Sequence, residues 1–105
     1  MINEILGKEV LIRTYSAGVH YGILDKAESV NDSYDVKLKN ATRVYSWAGA
    51  CSLSQLATEG TKNTETKLSV TVPTIFLKAI EVIEMTPLAL ERLADIKTWK
   101  IDNND

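Results

Sequence analysis

Leu38 to Gly60 reads LKNATRVYSWAGACSLSQLATEG, and its first half, Asn40-Ala41-Thr42-Arg43-Val44-Tyr45-Ser46-Trp47, reads as a β-strand. Side chains on a strand alternate between faces, so Arg43, Tyr45 and Trp47 project together while Val44 points the other way. A guanidinium beside two aromatic rings suits phosphate and base. The run then passes through Gly49 into Ser52-Leu53-Ser54-Gln55, the spacing of a capping box. In that motif the serine hydroxyl accepts from the backbone N–H at Gln55, and the Gln55 side chain reaches back. Strand, small-residue corner and capped helix form one unit, closed by Gly60 as the residue after the helix.

Upstream, Lys8 to Tyr15 is rich in β-branched and aromatic residues and predicts a strand, with Leu11, Arg13 and Tyr15 on one face. Ser16-Ala17-Gly18 predicts a turn, and Val19 to Ala27 a second strand that places His20 on a half-exposed face. Val30-Asn31-Asp32-Ser33 ends that strand. Tyr34, Val36 and Leu38 then alternate with charged residues, and Lys39-Asn40 predicts a tight turn into the Arg43 strand, completing a four-strand antiparallel meander. Met1 to Gly7 reads as one helical turn.

Downstream, Thr61 to Thr66 (TKNTET) is a polar loop without an apolar anchor, the segment expected to be least ordered. Leu68 to Val72 alternates and stops at Pro73. Ile75 to Met85 is apolar on both faces and predicts a strand covered on both sides, with a helix as the alternative. Thr86-Pro87 opens a helix, threonine as N-cap and proline at the first helical position, with Leu90, Leu93 and Ala94 as its apolar stripe. Thr98 to Ile101 is expected to add an edge strand or docking tail, and 101–105 to fray. The reading is α+β: a twisted antiparallel sheet of about five or six strands with two short helices, in a single domain spanning 1–105.

The totals narrow the function. A net charge of -2 gives no global attraction to duplex nucleic acid or anionic membrane, and 105 residues suffice for one core. The single cysteine, Cys51, excludes an intrachain disulfide. With no apolar run of signal-peptide or transmembrane length, a cytoplasmic location is expected. His20 is the only histidine, and no HExxH, CxxC, GxSxG, GxxxxGK[ST] or GxGxxG is present, so neither a metal, a resident cofactor nor a catalytic constellation is indicated. Glu91 and Asp95 lie one helical turn apart on a solvent face and form no catalytic dyad.

What stands out is the set Arg13, Tyr15, Arg43, Tyr45 and Trp47, arginine-aromatic pairings on two strands. A pocket and an ordinary packed face are both compatible with it. Ile12 to Gly22, then Asn40-Ala41, Arg43, Tyr45, Trp47, Gly49-Ala50 and Ser52 to Ala57 with Gly60, resembles a family of small phage-encoded proteins of unknown function. The pattern also resembles phage anti-Thoeris sponge proteins, which bind a cyclic ADP-ribose signal from a bacterial TIR-domain protein and withhold it without cleavage. The resemblance implies a homo-oligomer in the host cytoplasm, with a second kind of site for cyclic oligonucleotides. It implies adenine stacked on Tyr45 or Trp47, pyrophosphate held by Arg43 and Arg13 first and by Arg92 from a neighbouring subunit, and Asn40 donating to ribose or base, although a left-handed turn role explains Asn40 equally well. The rival readings are an inhibitor that occludes a host protein, and a small hydrolase or lyase acting on the same signal.

Overall fold

A computed structural model describes residues 1–101; Asp102 to Asp105, where fraying is expected, lies outside the described residues. After a 3-10 turn at Ile2–Ile5, strand β1 (Glu9–Thr14) runs antiparallel to β2 (Val19–Val30). Their connection is fixed by Thr14, whose hydroxyl donates to the Gly18 carbonyl at 2.7 Å and accepts from the Ala17 N–H at 2.8 Å. Gly18 adopts φ +80°, which a side chain would disfavour. β2 turns through Asn31 (φ +54°) into β3 (Ser33–Ser46). Helix α1 (Leu53–Glu59), the short β4 (Lys67–Leu68), the long β5 (Val72–Glu84) and helix α2 (Pro87–Ala94) complete the order.

β5 pairs with β1 along one edge and with β3 along the other, while β2 joins β1 to β3. The four long strands therefore close into a ring, and β4 extends the end of β3. Closure removes the open edges that a free sheet would present. One apolar cluster is built from every strand of this ring: Val10 and Ile12, Leu24, Val36 and Leu38, and Ala79. The second lies on the opposite face of β1, where Leu11, Val19 and Val44 meet Leu56 and Ala57 of α1 and Ala89 and Leu93 of α2. Complete burial of Leu11, Leu56 and Leu93 contributes ~1.5–3 kcal/mol each.

The architecture of one antiparallel sheet with two helices agrees with the α+β expectation, and four local readings change. Lys39-Asn40 does not reverse the chain: β3 is one continuous strand. Between the pairs Ile23↔Lys39 and Tyr21↔Thr42, β2 advances two residues and β3 three, so a bulge absorbs one extra residue with Asn40 at φ +50°. Gly22 faces this bulge, and a Cβ there would lie 2.9 Å from the Lys39 carbonyl oxygen. The bend lets β3 pair with β2 on one side and with β5 and then β4 on the other. Second, Leu68 to Val72 is not one strand, because β4 ends at Leu68 and Pro73 lies inside β5, next to its first residue.

Third, the TKNTET loop is anchored by polar rather than apolar groups. Thr61 and Thr66 are buried, and both hydroxyls donate to the Ala48 carbonyl, at 2.6 and 3.3 Å. Fourth, β5 is covered unevenly: Phe76 is 74% exposed. Both helix starts form as expected. The Ser52 hydroxyl accepts from the Gln55 N–H at 3.1 Å, and Gln55 Oε1 accepts from the Cys51 N–H at 2.7 Å, one residue earlier than a standard box. The Thr86 hydroxyl accepts from the Ala89 N–H at 3.1 Å and donates to the Thr58 carbonyl, joining the two helices.

Candidate functional site

The cross-strand register decides which of the expected site residues can meet. Ile12, His20 and Arg43 lie in one row across β1, β2 and β3, and Arg13, Val19 and Val44 lie in the next. Residues directly opposite share a face. Val19 and Val44 belong to the helix-covered layer, so Arg13 and Arg43 project from opposite faces of the ring and do not converge within one chain. Arg13 is instead held by Glu81 at 3.4 Å. Tyr15 stands 89% exposed beside the β1–β2 turn.

Trp47 packs against the helix-covered cluster, as Ala50 and Leu53 also do, and is a half-buried core residue rather than a free stacking surface. Arg92 Nη1 donates to the Glu59 carbonyl at 3.0 Å, tying the end of α1 to α2. Asn40 is exposed, and its positive φ accounts for it as the bulge residue. Only Arg43 and Tyr45 stay near one another, two residues and roughly 7 Å apart along β3.

Tyr45 finds a different partner. Thr98 bridges to Leu68, and the Trp99 N–H donates to the Leu68 carbonyl at 2.8 Å, so the segment after α2 lies beside β4. This lays the Trp99 ring against Tyr45, centroids 4.9 Å apart and planes inclined at 40°, with the Lys67 ammonium 5.1 Å from the Trp99 centroid. Trp99 remains 51% exposed. Its open surface borders a groove of about 640 Å³ that also takes in Ser46, Thr66, Lys67, Lys97 and Lys100. Three lysines against one carboxylate, Glu65, leave the groove with surplus positive charge, and none of the three forms an ion pair among the described residues. The loop threonines bonded to Ala48 hold the Thr66-Lys67 rim in place.

A recess of similar size, about 660 Å³, lies beside Phe76 and Leu6. Its charges are largely neutralised internally, Lys78 pairing with Asp35 at 2.8 Å and Lys37 with Asp25 at 3.3 Å. For an anionic ligand the Trp99 groove is therefore the better candidate. Sequence reading missed Lys67, Lys97, Trp99 and Lys100 as a set because they come from two segments some thirty residues apart. The available signal was Trp99 flanked by Lys97 and Lys100 in a segment already expected to dock.

His20 is 1% exposed rather than half-exposed, because it shares a face with its cross-strand neighbour Ile12, a member of the ring's buried apolar cluster. Its Nε2 donates to the Ala17 carbonyl at 2.8 Å. Burial pushes its pKa below the usual range, the Ala17 bond opposes this, and the Arg43 charge lowers it further. Burial raises the Glu9 carboxyl, and burial with the nearby Glu9 charge raises the Tyr21 phenol against the lowering bond with Thr42. Among the described residues no group of three or more metal-ligating side chains converges, and no helix is long and apolar enough to cross a membrane. Cys51 is exposed.

A family model described as Domain of unknown function (DUF6948) matches residues 7–93. No curated protein and no solved structure matches the chain. The match includes His20, Arg43, Tyr45 and Lys67, whereas Lys97, Trp99 and Lys100 follow it. Since it spans all five strands, α1 and all but the last residue of α2, the chain belongs to the DUF6948 family of domains of unknown function.

Proposed function

We propose that this protein binds a cyclic nucleotide immune signal of the cyclic ADP-ribose type and sequesters it uncleaved, as a phage anti-defence protein in the host cytoplasm. The observation carrying this reading is the groove that pairs the open Trp99 ring with Lys67, Lys97 and Lys100. An aromatic face takes a base by stacking, worth ~1–3 kcal/mol, and lysines neutralise the pyrophosphate. In this arrangement Trp99 fills the role expected of Trp47, and the lysines that expected of Arg13 and Arg92, which have internal partners. Cyclic oligonucleotides, which share base and phosphate, form the second ligand class.

A sponge must outcompete the effector, which requires a dissociation constant in the nanomolar range, about -12 kcal/mol. One open groove encloses a dinucleotide-sized ligand poorly, so the reading includes a homo-oligomer in which a second copy covers it. The test incubates the purified protein with cyclic ADP-ribose isomers and cyclic di- and trinucleotides. Each nucleotide is quantified in the protein-free filtrate before and after heat denaturation. Depletion with intact release supports sequestration; an altered product makes the protein a hydrolase or lyase.

The alternative, an inhibitor that acts by binding a host protein, is favoured by one observation: the exposed Phe76 beside Leu6 on the β5 side of the ring. No nucleotide depletion, together with loss of in-cell activity in Phe76→Ser, would select that reading.

A further inference from the structure

Arg43 is the one arginine of three whose side chain makes no hydrogen bond or ion pair among the described residues; Arg13 is paired with Glu81 and Arg92 with the Glu59 carbonyl. It lines a cleft of about 200 Å³, separate from the Trp99 groove. The buried His20, the cross-strand neighbour of Arg43 on β2, belongs to the same lining. Ser69 stands at the rim, its N–H already donating to the Arg43 carbonyl at 3.0 Å, and Val70, Val72 and Ile75 supply apolar surface. The carbonyl of Ala17 can only accept, so Nε2 carries the proton of the neutral ring.

We infer that this cleft binds a small organic anion, its oxyanion on the Arg43 fork and its apolar body against Val70, Val72 and Ile75. Three features select this class. An unpaired guanidinium presents two parallel N–H donors, which match the two oxygens of a carboxylate or phosphate. The apolar walls favour a short hydrocarbon body over a fully hydrated ion. The volume lies below the ~300 Å³ at which pockets for drug-sized ligands begin and is too small for a nucleotide, so the cleft is a second site and does not depend on what fills the Trp99 groove.

The experiment uses the single histidine as its probe. The imidazole signals of His20 are followed by NMR at constant neutral pH while butyrate, inorganic phosphate or the neutral isostere butyramide is added into the tens of millimolar range. Butyrate is expected to give a saturable shift; phosphate, which lacks the apolar body, a weaker one; butyramide none. Arg43→Gln is expected to weaken butyrate roughly tenfold or more by removing a charge-assisted fork. Arg43→Lys should weaken it less, and Arg13→Gln, on the other face, should leave it unchanged. Unsaturable shifts with butyrate, equal responses to butyrate and butyramide, or undiminished binding in a folded Arg43→Gln variant would each overturn the assignment. Tighter phosphate than butyrate would reject the apolar body.

Discussion

The two tryptophans should behave oppositely when truncated. Trp47 packs against the helix-covered apolar cluster, whereas half of Trp99 faces solvent beside Tyr45. Removing a fully buried tryptophan costs ~3–5 kcal/mol, so the half-buried Trp47→Ala should lose about 2 kcal/mol. For a domain of this size that lowers the melting temperature by roughly 10 °C. Trp99→Ala gives up the Tyr45 pairing and the Lys67 contact, about 1 kcal/mol or less at an exposed edge. Under the proposed function its main effect is expected on the ligand: loss of a stacking partner worth ~1–3 kcal/mol should weaken nucleotide binding about 5- to 150-fold. Thermal melts of both variants, paired with nucleotide depletion from the filtrate, separate the two effects. Near-wild-type melting with abolished uptake in Trp47→Ala, and intact uptake in Trp99→Ala, would refute the placement of the site.

Gly60 adopts φ +66°, and a Cβ there would stand 2.9 Å from both the Cα and the carbonyl oxygen of Ala89. Gly60→Ala should therefore cost ~2–5 kcal/mol in urea unfolding, against ~1 kcal/mol for Gly18→Ala, where the same sign of φ meets open space. Equal losses would show that helix contact is not the cause. Thr86→Ala removes a cap that also ties α2 to Thr58, and is expected to destabilise by ~1–2 kcal/mol in the same assay. His20 titrates below its usual 6.5 when folded, so the unfolded chain binds the extra proton first. Stability should fall as pH drops through about 6.5 towards the lowered folded value, and His20→Asn should flatten that slope in melts between roughly pH 7.5 and 5.5. An unchanged slope in His20→Asn would assign the pH dependence to other groups, Glu9 acting in the opposite sense.

Local chemistry in the sequence was enough to determine both helix starts, the Gly18 turn and the alternation of β1 and β2. Each depends on residues within a few positions: a hydroxyl three residues ahead of an N–H, a glycine at positive φ, a period of two. What the sequence left open was set by partners distant along the chain. Asn40 at positive φ serves a turn or a bulge equally, and only pairing with β2 on one side and β5 on the other makes it a bulge. Thr61 and Thr66 read as solvent-facing until the Ala48 carbonyl arrives to accept from both. For the candidate site the division is the same. Period two correctly kept Arg43 and Tyr45 near each other on β3, but period gives no face. The register of three strands turned Arg13 away from Arg43, and the helix layer covered Trp47. Ring closure and the β4 edge brought Lys67 to Trp99, because tertiary structure alone decides which of two chemically equivalent faces is buried and which residues, far apart in sequence, border one groove.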